Sequence, residues 1–152
     1  KGGLVGRSEC IRVGVETRGD GFLNSIVGRG ASFADIDGDG DTDVLLTSSG
    51  GKPRLLRNVQ QTGLHWVRLQ LTGRTTNRDA IGSWVEVYAG QDVYRRQVMP
   101  TRSYLSQSEK TVTIGIGTHR AIDKAIIYWA GGKTQEILQP AVDSVIKVQE
   151  AP

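Results

Sequence analysis

Cysteine occurs once in the 152 residues, at Cys10, so the chain forms no disulfide with itself and no thiolate metal cluster. A lone Cys leaves the compartment open; its one disulfide option is another chain. Histidine occurs twice, and His65 and His119 stand in different strand contexts with no motif partner, which argues against a zinc site or a catalytic triad. No stretch approaches the roughly 20 apolar residues that a membrane-crossing helix needs, and no signal peptide is present. Cationic runs interleaved with aromatics are also missing. The net charge of +3 comes wholly from residues 65–152, since residues 1–64 carry eight Lys/Arg against eight Asp/Glu. That excess is too small for a nucleic-acid footprint. The chain opens Lys1-Gly2-Gly3 without an initiator Met, which predicts that a leader or a longer N-terminal region has been removed.

What is abundant is glycine, at 20 residues, beside apolar runs built from Val, Ile and Thr. Those residues favour strands, and the glycines favour tight turns between them. The most distinctive stretch is Asp35-Ile36-Asp37-Gly38-Asp39-Gly40-Asp41-Thr42-Asp43, with a carboxylate at every second position. On a strand all five would crowd one face and repel. In a curled loop Asp35, Asp37, Asp39, Asp41 and Asp43 converge on one point, and an all-oxygen set suits a hard cation, calcium before magnesium. Gly40 supplies the freedom for the sharp turn. An EF-hand is rejected, because offset twelve is Leu46 rather than Glu and both flanks read as strands.

Along the chain, Ile11-Arg12-Val13-Gly14-Val15-Glu16 alternates with period two and reads as a strand. Arg18-Gly19-Asp20 spells the tripeptide that integrins read, but three-residue matches are common and a plain turn is the favoured reading. Ala31 to Ala34, Val44 to Thr47 and Arg54 to Asn58 predict a small meander around the acidic loop. From His65 onward the strands lengthen. Val67, Leu69 and Leu71 share one face, as do Val85 with Val87, and Val112 with Ile114 and Ile116. Val93 to Met99, Lys124 to Trp129, Lys133 to Leu138 and Ser144 to Gln149 complete about seven strands. Short strands at this spacing, with almost no helical period, predict an antiparallel sandwich. The expected fold is therefore all-β, a calcium-loop meander over 1–61 followed by a sandwich over 62–152.

Other polar stretches have plain readings. Asn77-Arg78-Asp79 predicts a loop whose Asn and Asp satisfy backbone groups and whose Arg pairs with a carboxylate. Ser106 and Gln107 predict the same kind of service. Gly30-Ala31-Ser32-Phe33-Ala34 misses a nucleophile elbow, because Ala34 replaces the second Gly and no helix follows. Trp66, Trp84 and Trp129 suit packing between sheets better than a sugar platform. Trp84 with Tyr88 is the exception, since the two share a face opposite Val85 and Val87.

Gly28 to Asn58, with Phe33 to Asp43 followed by Arg54-Leu55-Leu56-Arg57-Asn58, resembles one FG-GAP/VCBS repeat, a blade of integrin-type propellers. Thr76-Asn77-Arg78-Asp79-Ala80-Ile81-Gly82, Tyr104-Leu105-Ser106-Gln107, Gly115-Ile116-Gly117 and Tyr128-Trp129 resemble the ASPIC/UnbV domain of cartilage acidic protein-like and bacterial secreted proteins. The repeat implies side-chain ligation of Ca2+ by Asp35, Asp37, Asp39 and Asp43, with Asp41 offering its carbonyl. Ala130-Gly131-Gly132 departs from the family's Pro-Asp-Gly, and Ile114-Gly115-Ile116-Gly117 from its Phe-Gly-Leu-Gly. One repeat is also fewer than the four blades that a propeller needs. The resemblance implies a secreted or cell-surface, non-enzymatic, calcium-binding module for a protein or glycan partner. A subunit of an extracellular fibre or oligomer, joined by edge pairing or by donation of Leu4 to Thr17, is the alternative.

Overall fold

The computed structural model describes residues 25–152. The strand expected at 11–16, the Arg18-Gly19-Asp20 turn, Cys10 and the donor segment Leu4 to Thr17 lie outside the described residues. Ten strands and no helix make up the described part: β1 Gly28–Ala34, β2 Asp43–Ser48, β3 Arg54–Leu56, β4 His65–Thr72, β5 Trp84–Ala89, β6 Asp92–Gln97, β7 Val112–Gly117, β8 Lys124–Tyr128, β9 Thr134–Leu138 and β10 Ser144–Gln149. They form three sheets, ordered β1-β2-β3, β10-β4-β7 and β6-β5-β8-β9. The first is the small meander. The other two are the seven strands of the sandwich.

The alternation read from the sequence sets the sandwich core. Val67, Leu69 and Leu71 of β4 meet Val112, Ile114 and Ile116 of β7 on one inner face. Val85 and Val87 of β5 with Ala125 and Ile127 of β8 form the other. Fully burying each Val, Leu or Ile contributes about 1.5–3 kcal/mol, so this cluster dominates the stability of the described chain. All strand pairs are antiparallel except one: β10 lies parallel to β4, with Ser144 opposite Val67 and Gln149 opposite Thr72. The chain leaves β9 in one sheet and crosses to the other through residues 139–143. Asp143 pins the landing, its amide donating to the Trp66 carbonyl at 2.7 Å.

The meander differs in kind, because no apolar side chain of β1, β2 or β3 is fully buried. Its order comes from β-ladders, from the acidic loop and from a polar joint with the sandwich. At that joint the Phe33 amide donates to Ser108 Oγ at 3.2 Å, and the Glu109 amide donates to the Phe33 carbonyl at 3.1 Å. Trp66 and Arg68 project from the outer face of β4. On that side the outer face of the sandwich is the floor of the repeat.

The acidic loop and the charge cluster beneath it

The loop between β1 and β2 curls because Gly38 and Gly40 take left-handed conformations, with φ of 81° and 91°. Gly40 is required twice over. A β-carbon built there would fall 2.0 Å from Trp66 Cε2, so the loop sits on the indole only because position 40 lacks a side chain. Asp35 organises the curl from within. Its Oδ1 accepts from the Gly38 amide at 2.6 Å, and its Oδ2 accepts from the Gly40 amide at 2.9 Å. Asp43 closes the neck: buried, it accepts from the Ile36 amide at 3.0 Å and from the Asn58 amide at 2.8 Å. Asp39 Oδ1 accepts from the Asp41 amide at 2.9 Å.

Of the five carboxylates, Asp35, Asp37 and Asp39 are brought together, each offering an oxygen within 4.8 Å of the others. Asp41 and Asp43 stand outside that group. Both Asp43 oxygens face backbone amides. The Asp41 carboxyl is pushed above the usual range, first by burial and further by the charges of Asp39, Asp35 and Asp43, with the Gln60 hydrogen bond opposing. A trio of carboxylate oxygens on a glycine-shaped turn matches the chemistry of a hard divalent cation.

Two arginines temper this negative charge, and sequence reasoning missed both. Arg57, just after β3, pairs with Asp37. Arg68 reaches up from β4 to Asp35 Oδ2 at 2.8 Å, and also engages Glu109 and, at 3.0 Å, Thr113 Oγ1. Its side chain is only 8% exposed and that of Asp35 is 0%, so this is a buried Asp–Arg–Glu cluster at the joint. The Glu109 carboxyl is raised by burial, with Arg68 as the main opposing influence. The available signal was the position of Arg68, in register with Trp66 on the face opposite Val67 and Leu69.

The remaining candidates are structural. Asn77 donates to the Ile81 carbonyl at 2.9 Å and accepts from its amide at 2.8 Å, as expected of a loop that satisfies its own backbone. The ion pair in that loop is made by Asp79 with Lys110 at 2.6 Å, not by Arg78 as the sequence suggested. Ser106 Oγ donates to the Tyr104 carbonyl at 2.9 Å. His65 and His119 each pair with one carboxylate, Asp143 at 2.7 Å and Asp92 at 2.8 Å. Trp129 is buried, while Trp84 is 36% exposed on the outer face of its sheet. Cations cover that aromatic face: Arg95 lies 4.4 Å from the Trp84 ring centroid, and Lys124 lies 5.3 Å from that of Tyr88. The Tyr88 and Tyr128 hydroxyls both donate to Glu86, at 2.8 and 3.0 Å, and the Glu86 bond is the first reason that the Tyr88 phenol is pushed up to about 12.

A second carboxylate missed in the sequence is Glu150, which is 2% exposed. It accepts from the amides of Arg74, Thr75 and Thr76 at 2.8, 2.9 and 3.0 Å, and from the Thr75 and Thr76 hydroxyls at 2.6 and 3.0 Å. The Thr75-Thr76 turn is thereby tied to the end of β10. The carboxyl is held down at about 2, first by the Thr75 hydroxyl and then, against burial, by the three amides.

Comparison with protein-family models matches an FG-GAP repeat over residues 27–66 and the ASPIC and UnbV family over residues 73–152. No curated protein matches the chain. The first match spans the meander, the acidic loop and the joint as far as Trp66; the second spans the Thr75-Thr76 turn, the Asn77 loop and the strands through β10. FG-GAP repeats are propeller blades, commonly bind calcium and are typical of extracellular or surface proteins. No helix among the described residues is long and apolar enough to cross a membrane. With the second match covering more than half of its length, the chain belongs to the ASPIC and UnbV family, joined here to an FG-GAP repeat.

Proposed function

We propose that the chain is a secreted, non-enzymatic, calcium-stabilised module that binds a partner, a protein in preference to a glycan. The observation that carries the calcium part is the convergence of Asp35, Asp37 and Asp39 on a turn shaped by Gly38 and Gly40. Those three side chains would hold the ion, with Asp41 and Asp43 completing and bracing the loop. Calcium would supply positive charge where several carboxylates repel, and would tie the residue after β1, Asp35, to the turn at Asp37 and Asp39. Arg57 competes with it for Asp37. The preference for a protein rests on the aromatic face, where Arg95 and Lys124 lie over the rings that a sugar would stack on. The non-enzymatic part is supported by the buried carboxylates, since Asp43 and Glu150 direct their oxygens at backbone amides rather than into a cleft.

EDTA tests the metal directly. A ligand present at 100 times its Kd adds about 2.7 kcal/mol to folding, which is roughly 5–10 °C in a domain of this size. Chelation is expected to lower the melting temperature by that order, and excess calcium to restore it. A melting curve indifferent to EDTA would sink the calcium reading.

A second reading, assembly into a fibre or oligomer, is favoured by the meander. Among the described residues its sheet has three strands where propeller blades have four, both of its edges are unpaired, and it buries no apolar side chain fully. The alternating segment Leu4 to Thr17 is the natural donor of a strand to another copy. Light scattering of the full chain at rising concentration is expected to show oligomers that dissolve on Val13→Lys. A monomer at every concentration rules assembly out.

A further inference from the structure

Beside the joint runs a groove of about 710 Å³, with Phe33 and Val44 of the repeat on one side and the start of β7 on the other. Met99 is 40% exposed in it, and Trp84 stands at its rim. Among the described residues the strand that borders it, β6, is paired only with β5 and so lies at the edge of its sheet. Alternate residues of an edge strand turn their N–H and C=O groups outward. On β6 two such carbonyls, those of Arg95 and Gln97, accept from guanidinium groups rather than from a ladder: Arg96 Nη1 at 3.0 Å and Arg102 Nη2 at 3.1 Å. Neither Arg96 nor Arg102 has a carboxylate partner among the described residues, whereas Arg95 is paired with Glu86 and Lys110 with Asp79. The one carboxylate in the groove, Glu109, is engaged by Arg68.

Three features thus coincide: an unladdered strand edge, an apolar floor and two uncompensated guanidinium groups standing over that edge. The edge asks for a ligand with a peptide backbone, which a sugar or a small molecule lacks. The floor asks for apolar side chains, and the arginines ask for carboxylates. We propose that the groove takes an acidic peptide in extended conformation, added as a strand beside β6, with its Asp or Glu side chains drawing Arg96 and Arg102 off the β6 carbonyls. This deepens the reading of the chain as a binding module by naming the surface and the chemistry of its partner. The chain's own residues 1–24 are a poorer occupant, because their four Lys/Arg against three Asp/Glu would bring positive charge to a cationic groove.

The probe is a fluorescein-labelled decapeptide of alternating Glu and Val, titrated with the full chain in calcium buffer and read by anisotropy. Saturable binding at micromolar concentration is expected, weakened roughly tenfold by Arg96→Glu and by Arg102→Glu. The Lys-Val analogue, and a Glu-Val analogue N-methylated at alternate amides, are expected not to bind. Melting curves of the two variants check that they fold. Failure of the peptide to saturate by millimolar concentration overturns the proposal, and so does binding indifferent to both arginine reversals. A heparin fragment is titrated in parallel. If it binds through the same arginines while the peptide does not, the groove is a glycan site and the peptide proposal falls, with the module reading intact. The metal part of that reading is decided separately by the EDTA melt.

Discussion

Glu150→Gln lowers the melting temperature by roughly 10 °C at pH 7, the class of effect expected when a buried hydrogen-bond network loses its charge. The buried carboxylate serves five donors, three of them successive backbone amides. A glutamine keeps the shape but replaces one acceptor with an NH2 group that points at donors, so part of the set is orphaned. The pH dependence identifies the cause. A carboxyl held at about 2 when folded, against an ordinary 4.5, binds its proton less readily in the folded than in the unfolded chain. Its contribution is therefore complete above pH 4.5 and is lost as pH falls from there toward about 2. Urea unfolding of both proteins from pH 7 to pH 2 is expected to give curves that run parallel at first and converge below pH 4.5. A gap that stays constant down to pH 2 would mean that shape, not charge, holds the Thr75-Thr76 turn.

Glu150 also shows where a sequence stops being readable. The inward faces of the sandwich were legible, because period-two alternation assigns Val67, Leu69 and Leu71 or Val112, Ile114 and Ile116 to one side without reference to anything distant. The turn at Gly38 and Gly40 was legible for the same local reason. Partners were not. Glu150 follows β10 as an ordinary polar residue, and its donors lie 74 to 76 positions away. The parallel pairing of β10 with β4 likewise depends on a crossing that no alternation records. The sequence presents Asp43 and Asp37 as equivalent members of one series. Only the fold turns Asp43 toward Ile36 and Asn58 and leaves Asp37 to Arg57. The orientation of Trp84 and Tyr88 was readable from β5 alone, whereas their cationic covers come from β6 and β8.

Arg68→Ala is expected to cost about 3–5 kcal/mol, the range for removing one partner from a buried ion pair, because it strands the other partners in the interior. Here two carboxylates are stranded. The side chains of Asp35 and Glu109 are 0% and 16% exposed, and both approach the same guanidinium from the repeat and the sandwich sides of the joint. The cluster does more than neutralise. The Asp35 amide donates to Glu109 Oε1 at 3.4 Å while the Asp35 carboxylate receives Gly38 and Gly40, so Arg68 fixes the residue on which the loop turns. Acid should relieve the variant. Burial already raises the folded Glu109 carboxyl, and without Arg68 its main opposing influence is gone. A carboxyl raised on folding binds its proton more tightly in the native state, so stability increases as pH falls toward and through its folded pKa. The deficit of Arg68→Ala is therefore largest at neutral pH and shrinks on acidification, the opposite trend from wild-type Glu150. Arg68→Met with Glu109→Gln separates charge from packing. If charge is the cause, the pair recovers part of the stability that Arg68→Ala loses. The metal loop supplies the second readout. A loop whose first aspartate is no longer held should gain less from calcium, so the melting shift between EDTA and calcium narrows in Arg68→Ala. An undiminished shift would mean that the loop is shaped by Gly38, Gly40 and Asp43 alone, with the sandwich as its support and not its template.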